Sequence, residues 1–72
     1  MIANTAVETA LDDLAAPFRA VVELVDIRGL SYAEAAAHLG VPIGTIMSRL
    51  HRARRRMRGQ LEQVGWAPRS HR

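Results

Sequence analysis

The sequence predicts an all-α fold: a small four-helix domain containing a helix-turn-helix with a long C-terminal recognition helix. Three observations predict it. Apolar residues recur at three-and-four spacing through successive segments, the period of a helix with one buried face. Pro17, Gly29, Gly40 and Pro42 punctuate those segments where helices start and stop. Residues 32–50 then have the proportions of a short helix, a glycine-containing turn and a second helix.

The first segment, Thr5 to Ala15, places Val7, Ala10, Leu11 and Leu14 on one stripe. Asn4 or Thr5 can cap it, and Glu8 falls in the first turn, where a carboxylate meets the positive end of the helix dipole. Pro17 interrupts the pattern but is tolerated at the first position of a helix, where its missing N–H would be unpaired anyway. A second helix from Pro17 to about Arg28 follows, with Phe18, Val21, Leu24 and Val25 facing inward and Gly29 ending it. Ser31 and Glu34 have the spacing of a capping box, in which each side chain accepts the other's orphan backbone N–H. They open a short, Ala-rich third helix, Tyr32 to Leu39, on which His38 reads as partly buried. Gly40 permits the left-handed backbone of a tight turn, and Val41-Pro42 completes it. Ala36 is small where the two helices must cross, while Leu39, Val41 and Ile46 supply the apolar contacts that fix their angle. The fourth helix runs from about Ile43 to Gln63, with Gly59 as a tolerable weak point. The expected domain is 1–64. Residues 65–72 read as a flexible tail, with Trp66 either incidental or an anchor for the end of the last helix.

Composition narrows the class. At 72 residues the chain makes one domain, and folding at this size buries only about 60% of the unfolded chain's surface. With no Cys there is no disulfide framework and no thiolate metal site, and the spacing of His38, His51 and His71 fits no metal-ligand pattern. No metal or other cofactor is expected. No apolar run reaches the roughly 18 residues of a membrane span, and the N-terminus lacks a signal peptide's basic region and apolar core. A cytoplasmic location and no membrane contact are the expectation. Asp12 and Asp13 are adjacent, so they point about 100° apart on a helix and cannot flank a substrate as an acid–base pair. Nor is there a phosphate loop or a nucleophile beside a base. An enzyme acting on a small-molecule substrate is not expected.

Charge is informative once divided. Residues 1–40 set Glu8, Asp12, Asp13, Glu23, Asp26 and Glu34 against Arg19 and Arg28, a net −4. Residues 41–72 set eight Arg against Glu62, a net +7. The modest total of +3 hides a polarised chain whose basic half suits a polyanion, nucleic acid first.

At 100° per residue, with Ile46 at zero, Leu50, Ala53, Met57 and Leu61 fall within about 60° and form the core stripe of the last helix. Its opposite side, from about 140° to 240°, carries Gly44, Ser48, His51, Arg52 and Arg55. Thr45 and Met47 flank that side near the helix N-terminus, next to Pro42. Small polar residues at the N-terminal end with Arg beyond them suit base edges and phosphates in a major groove. Tyr32, at the start of the third helix, is placed to offer its hydroxyl to a phosphate or simply to pack. The candidate DNA-binding set is therefore Tyr32, Pro42, Gly44, Thr45, Met47, Ser48, His51, Arg52 and Arg55. Arg49 and Arg56 lie towards the core side, suited to internal pairs or flanking phosphates, and Arg54 and Arg58 are weaker candidates for DNA contact.

The runs Gly29-Leu30-Ser31-Tyr32-Ala33-Glu34-Ala35-Ala36, Leu39-Gly40-Val41-Pro42-Ile43-Gly44-Thr45-Ile46 and Ser48-Arg49-Leu50-His51-Arg52-Ala53-Arg54 closely resemble region 4 of the extracytoplasmic-function (ECF) sigma factors. The resemblance covers roughly residues 11–62, and its most specific stretch is Val-Pro-x-Gly-Thr-x-x-Ser-Arg-Leu. Phe18-Arg19-Ala20-Val21-Val22 is similar to the family's segment after a Leu-Pro turn, with Ala16 in place of that Leu. Met47 stands where many members carry Lys or Arg. The resemblance implies a domain that docks on core RNA polymerase, reads the minus-35 element of promoter DNA and is masked by an anti-sigma factor. It also implies that the promoter-melting region 2 lies outside this chain. The apolar excess of Leu14, Phe18, Val21, Val22, Leu24, Val25 and Ile27 is then either a compact core or in part a docking face, with Leu14, Phe18, Val21, Val22 and Val25 as its candidates. Two other readings stay open on the residues alone. One is the output domain of a response-regulator or quorum-type transcription factor. The other is a module whose basic helix meets an acidic protein.

Overall fold

The computed structural model describes residues 5–65. Among these, all regular structure is helical: α1 (Thr5–Asp12), α2 (Ala16–Val21) continuing directly into a π-helical turn (Val22–Ile27), α3 (Tyr32–Leu39) and α4 (Ile43–Gln63). This is the expected all-α, four-helix architecture. Asn4, Trp66 and the remainder of the tail lie outside the described residues.

The long helix α4 is the scaffold, since α1, α2 and α3 all pack against it. Its Ile46, Leu50, Ala53 and Leu61 are buried, and Met57 packs against the core between them. That stripe is the one helical geometry predicts. It meets Leu14, Val21, Val22 and Leu24 from the first half of the chain and Ala35 and Ala36 from α3. Two small side chains at the α3–α4 crossing let the backbones approach closely, which fixes the helix-turn-helix angle.

The first two helices depart from expectation at their boundary. α1 stops at Asp12 rather than Ala15, because Ala15 adopts extended backbone (φ −61°, ψ 151°) and caps α2. Its carbonyl accepts from the N–H groups of Phe18 and Arg19, both at 3.0 Å. A residue that opens one helix cannot continue another. Leu14 therefore sits in the connecting turn, where its N–H donates to the Leu11 carbonyl at 3.1 Å, and it is buried there all the same.

The second helix reaches the expected length, but its latter half winds wider. Arg28 N–H donates to the Glu23 carbonyl five residues back (2.9 Å), and Leu30 N–H to the Leu24 carbonyl six back (2.9 Å), with Gly29 left-handed between them (φ +80°). Such π turns are rare and carry one residue more than an α-helix would. This one contacts both α3 and α4. A helix packed on two sides needs more than one apolar stripe, so consecutive Val21 and Val22, and then Leu24, are all buried.

The third helix forms as its sequence dictates. Ser31 Oγ accepts the Glu34 N–H at 3.0 Å and Ser31 N–H donates to Glu34 Oε1 at 2.8 Å, a complete capping box. Gly40 (φ +69°) ends the helix, and Val41 N–H returns to the Ala36 carbonyl at 3.1 Å. This six-to-one closure turns the chain directly into α4.

Candidate nucleic-acid interface

Pro42 precedes α4 with extended backbone and supplies no side-chain cap. Its carbonyl accepts from Thr45 N–H (3.0 Å) and Ile46 N–H (3.3 Å). The N–H groups ahead of Thr45 stand at the positive end of a 21-residue helix that has no side-chain capping hydrogen bond. Pro42 and Gly44 are exposed there and Thr45 is half-buried. This end of α4 suits a phosphate oxygen.

Beyond the first turn, Ser48, His51, Arg52 and Arg55 are exposed and lie opposite the buried stripe. They do not form one depression. Tyr32, exposed at the start of α3, shares a shallow groove with Met47, His51, Arg54, Arg55 and Arg58. Arg52 lies on the other flank, lining a second hollow with Asp13, Phe18 and Arg56 beside the α1–α2 turn. Ser48 and Gly44 occupy the ridge between the flanks, as their angular positions require. Met47 is 52% exposed, so the position facing Tyr32 offers an apolar surface without charge.

Among the described residues, no carboxylate lies within ion-pairing distance of Arg52 or Arg55; the ion pair within range belongs to Arg54. Asp13, which lines the same hollow as Arg52, accepts from Gln60 Nε2 at 2.7 Å. Arg54 Nε donates to Asp26 Oδ2 at 3.1 Å and its terminal nitrogen to Oδ1 at 2.5 Å, a bidentate fork. The hydrogen bonds it donates to Asp26 hold the Arg54 guanidinium still more firmly protonated than usual, with Tyr32 adding to the effect. The two side chains keep 48% and 34% of their surface exposed, so the pair stabilises the fold by only about 0–1 kcal/mol. The sequence holds no local sign of this pair. Its partners are 28 residues apart, outside the reach of any helix-spacing rule.

The candidate docking set requires correction. Leu14 (5% exposed), Val21 (0%) and Val22 (5%) are core residues and have no surface to offer. The physical reason is packing: Leu14 is buried from the α1–α2 turn, and the second helix, packed on two sides, takes up the apolar excess of Val21 and Val22 internally. Phe18 and Val25 are half-buried against the same core and keep an outer edge. Ile27 is 62% exposed. His38, expected to be partly buried, is exposed. No helix among the described residues is long and apolar enough to cross a membrane.

Residues 4–57 match the family described as Sigma-70, region 4. The chain is 54% identical over 54 residues to the ECF RNA polymerase sigma factor SigE of Mycolicibacterium smegmatis, covering 75% of this chain and 21% of that protein. It is 45% identical over 56 residues to the ECF RNA polymerase sigma factor SigL of Mycobacterium tuberculosis, covering 78% of this chain and 32% of the relative. Among solved structures, the sigma factor RpoE of Bartonella quintana, crystallised in complex with the anti-sigma factor NepR, superposes with a TM-score of 0.79. Sequence identity there is 39%, over 85% of this chain and 38% of that one. The chain thus spans about a fifth to a third of the length of these curated relatives.

Proposed function

The chain belongs to the sigma-70 region 4 family, as a domain of the ECF type, and from that premise we propose that it reads the minus-35 element of promoter DNA by laying α4 in the major groove. The observation that carries this reading is the exposed strip Gly44, Ser48, His51, Arg52 and Arg55, free of acidic side chains, on the outer side of a helix whose inner side is the core. An α-helix fills a major groove, and exposed Arg and Ser there reach base edges and phosphates. The uncapped start of α4 and the Tyr32 hydroxyl add phosphate contacts that set register without reading sequence. Met47 supplies an apolar contact, suited to a thymine methyl, where a basic residue would bind phosphate.

The working domain in this reading is residues 1–64, with 65–72 a tail. Its further partners are core RNA polymerase, which the names of the ECF RNA polymerase sigma factor relatives support, and an anti-sigma factor, which the RpoE–NepR complex supports. On this chain the docking surface for such a protein is the outer edge of the second helix, where Phe18 and Val25 remain accessible. The DNA reading is tested by replacing Arg52 and Arg55 together with Ala. Binding to duplexes selected from random DNA falls by at least about 30-fold, since two contacts of about 1–3 kcal/mol each are removed, while helical circular dichroism is unchanged. Undiminished binding by the folded double variant would assign the interface elsewhere.

A further inference from the structure

The contact between Asp26 and Arg54 joins the π turn to α4 at the groove that Arg54 lines with Tyr32, His51 and Arg55. Arg54 belongs to a run of five Arg within residues 52–58, yet it alone among them is ion-paired among the described residues. On α4 it lies about 100° from Arg55, close enough for a long, unconstrained guanidinium to swing onto a flanking phosphate. Asp26 holds it by the edge formed by Nε and one terminal nitrogen. An Arg fork uses that kind of paired edge to grip a phosphate or a guanine, so the clamp occupies the groups DNA would use and neutralises their charge. The carboxylate is brought there by the wide winding of Val22–Ile27, which delivers Asp26 to the flank of α4 while keeping Val22 and Leu24 in the core.

We propose that Asp26 is a specificity-determining positioning residue: by clamping Arg54 it withdraws one cation from the DNA-facing set of α4. Sequence-independent attraction is thereby held down, and discrimination rests on the residues that face the groove. The inference depends on the DNA reading above. It adds that not every arginine of the basic run is available to the polyanion, and that a residue of the acidic half makes the selection.

The test measures how binding of the whole chain to a short mixed-sequence DNA duplex depends on salt, because each phosphate neutralised contributes about 0.9 to the slope of log affinity against log salt. Arg54→Ala leaves the slope unchanged. Asp26→Asn releases Arg54 and steepens the slope by about 0.9, so affinity drops roughly three- to four-fold more between 50 and 200 mM salt. Asp26→Asn combined with Arg54→Ala returns the slope to its original value. The proposal is overturned if Arg54→Ala alone flattens the slope by about 0.9, or if Asp26→Asn leaves it unchanged in a protein whose melting curve shows it folded. Arg54→Ala places a strong helix former at an exposed site, so it keeps the test decisive even if Asp26→Asn misfolds. A slope near zero in the parent chain, or one indifferent to Arg52→Ala and Arg55→Ala, sinks the DNA reading itself and takes this inference with it. That outcome is distinct from a salt-dependent binder in which Arg54 contributes.

Discussion

Ile46 has no exposed surface and stands one helical turn into α4, where the helix-turn-helix crossing meets the core. Removing its side chain beyond Cβ leaves a cavity that its neighbours close only in part. Ile46→Ala is expected to cost about 2–5 kcal/mol and Ile46→Val about 0.5–1.5 kcal/mol. A domain of this size holds a total stability on the order of 4–11 kcal/mol. Urea titration followed by circular dichroism then shows the alanine variant unfolding at much lower denaturant and the valine variant little changed; equal midpoints would remove Ile46 from its central place. Its burial was legible in advance because a stripe at helical spacing has only one way to face. The exposure of single arginines was legible too: angular position separated Arg52 and Arg55 from the core-facing residues. The tie between Arg54 and Asp26 was not, because it depends on how a π turn meets α4, and no spacing along the chain encodes that.

Elements are fixed by backbone conformation as much as by side chains, and two glycines show the difference. A Cβ built on Gly40 or Gly59 meets nothing within 4 Å, so neither substitution is decided by crowding. Gly40 holds φ +69° at the end of α3, where an L-residue is strained by about 1–2 kcal/mol. Gly59 lies inside α4, where glycine costs about 0.5–1 kcal/mol relative to alanine. Thermal unfolding is therefore expected to shift in opposite directions, down for Gly40→Ala and up for Gly59→Ala; shifts of the same sign would contradict the backbone account. The caps of α3 and the limits of α4 could be read from Ser31, Glu34, Gly40 and Pro42, since each is a local device acting within a few residues. The end of α1 could not. Ala15 carries no side-chain signal that it will turn to extended backbone and open α2. The two-sided packing of the second helix was no more legible along the chain, and it is why Val21 and Val22 are buried in a core that Leu14 joins from the turn before.

At the scale of the molecule, an acidic half folds around the inner side of a basic helix. Fold class and family were both legible, the first from period and punctuation and the second from the turn between α3 and α4. The surface left for protein partners was not, because it is whatever the packing does not consume. A small domain that binds a polyanion in its folded form alone must gain stability from it. DNA at 100 times its dissociation constant adds about 2.7 kcal/mol, which for a domain of this length raises the melting temperature by roughly 10–20 °C. The rise is expected at low salt, to fade as salt is added, and to be absent in the Arg52→Ala, Arg55→Ala protein. A rise that persists in that protein would point to a different basic face.

The placement of core and groove residues on opposite sides of α4 has a consequence for how such a domain diversifies. Positions 46, 50, 53, 57 and 61 are committed to the interior, while 44, 48, 51, 52 and 55 are not. Under the proposed DNA reading, changes at the second set alter what is read without disturbing the first. The scaffold can be inherited intact while its target drifts, one exposed letter at a time, and a library confined to those five outward positions samples new targets on a single unchanged fold.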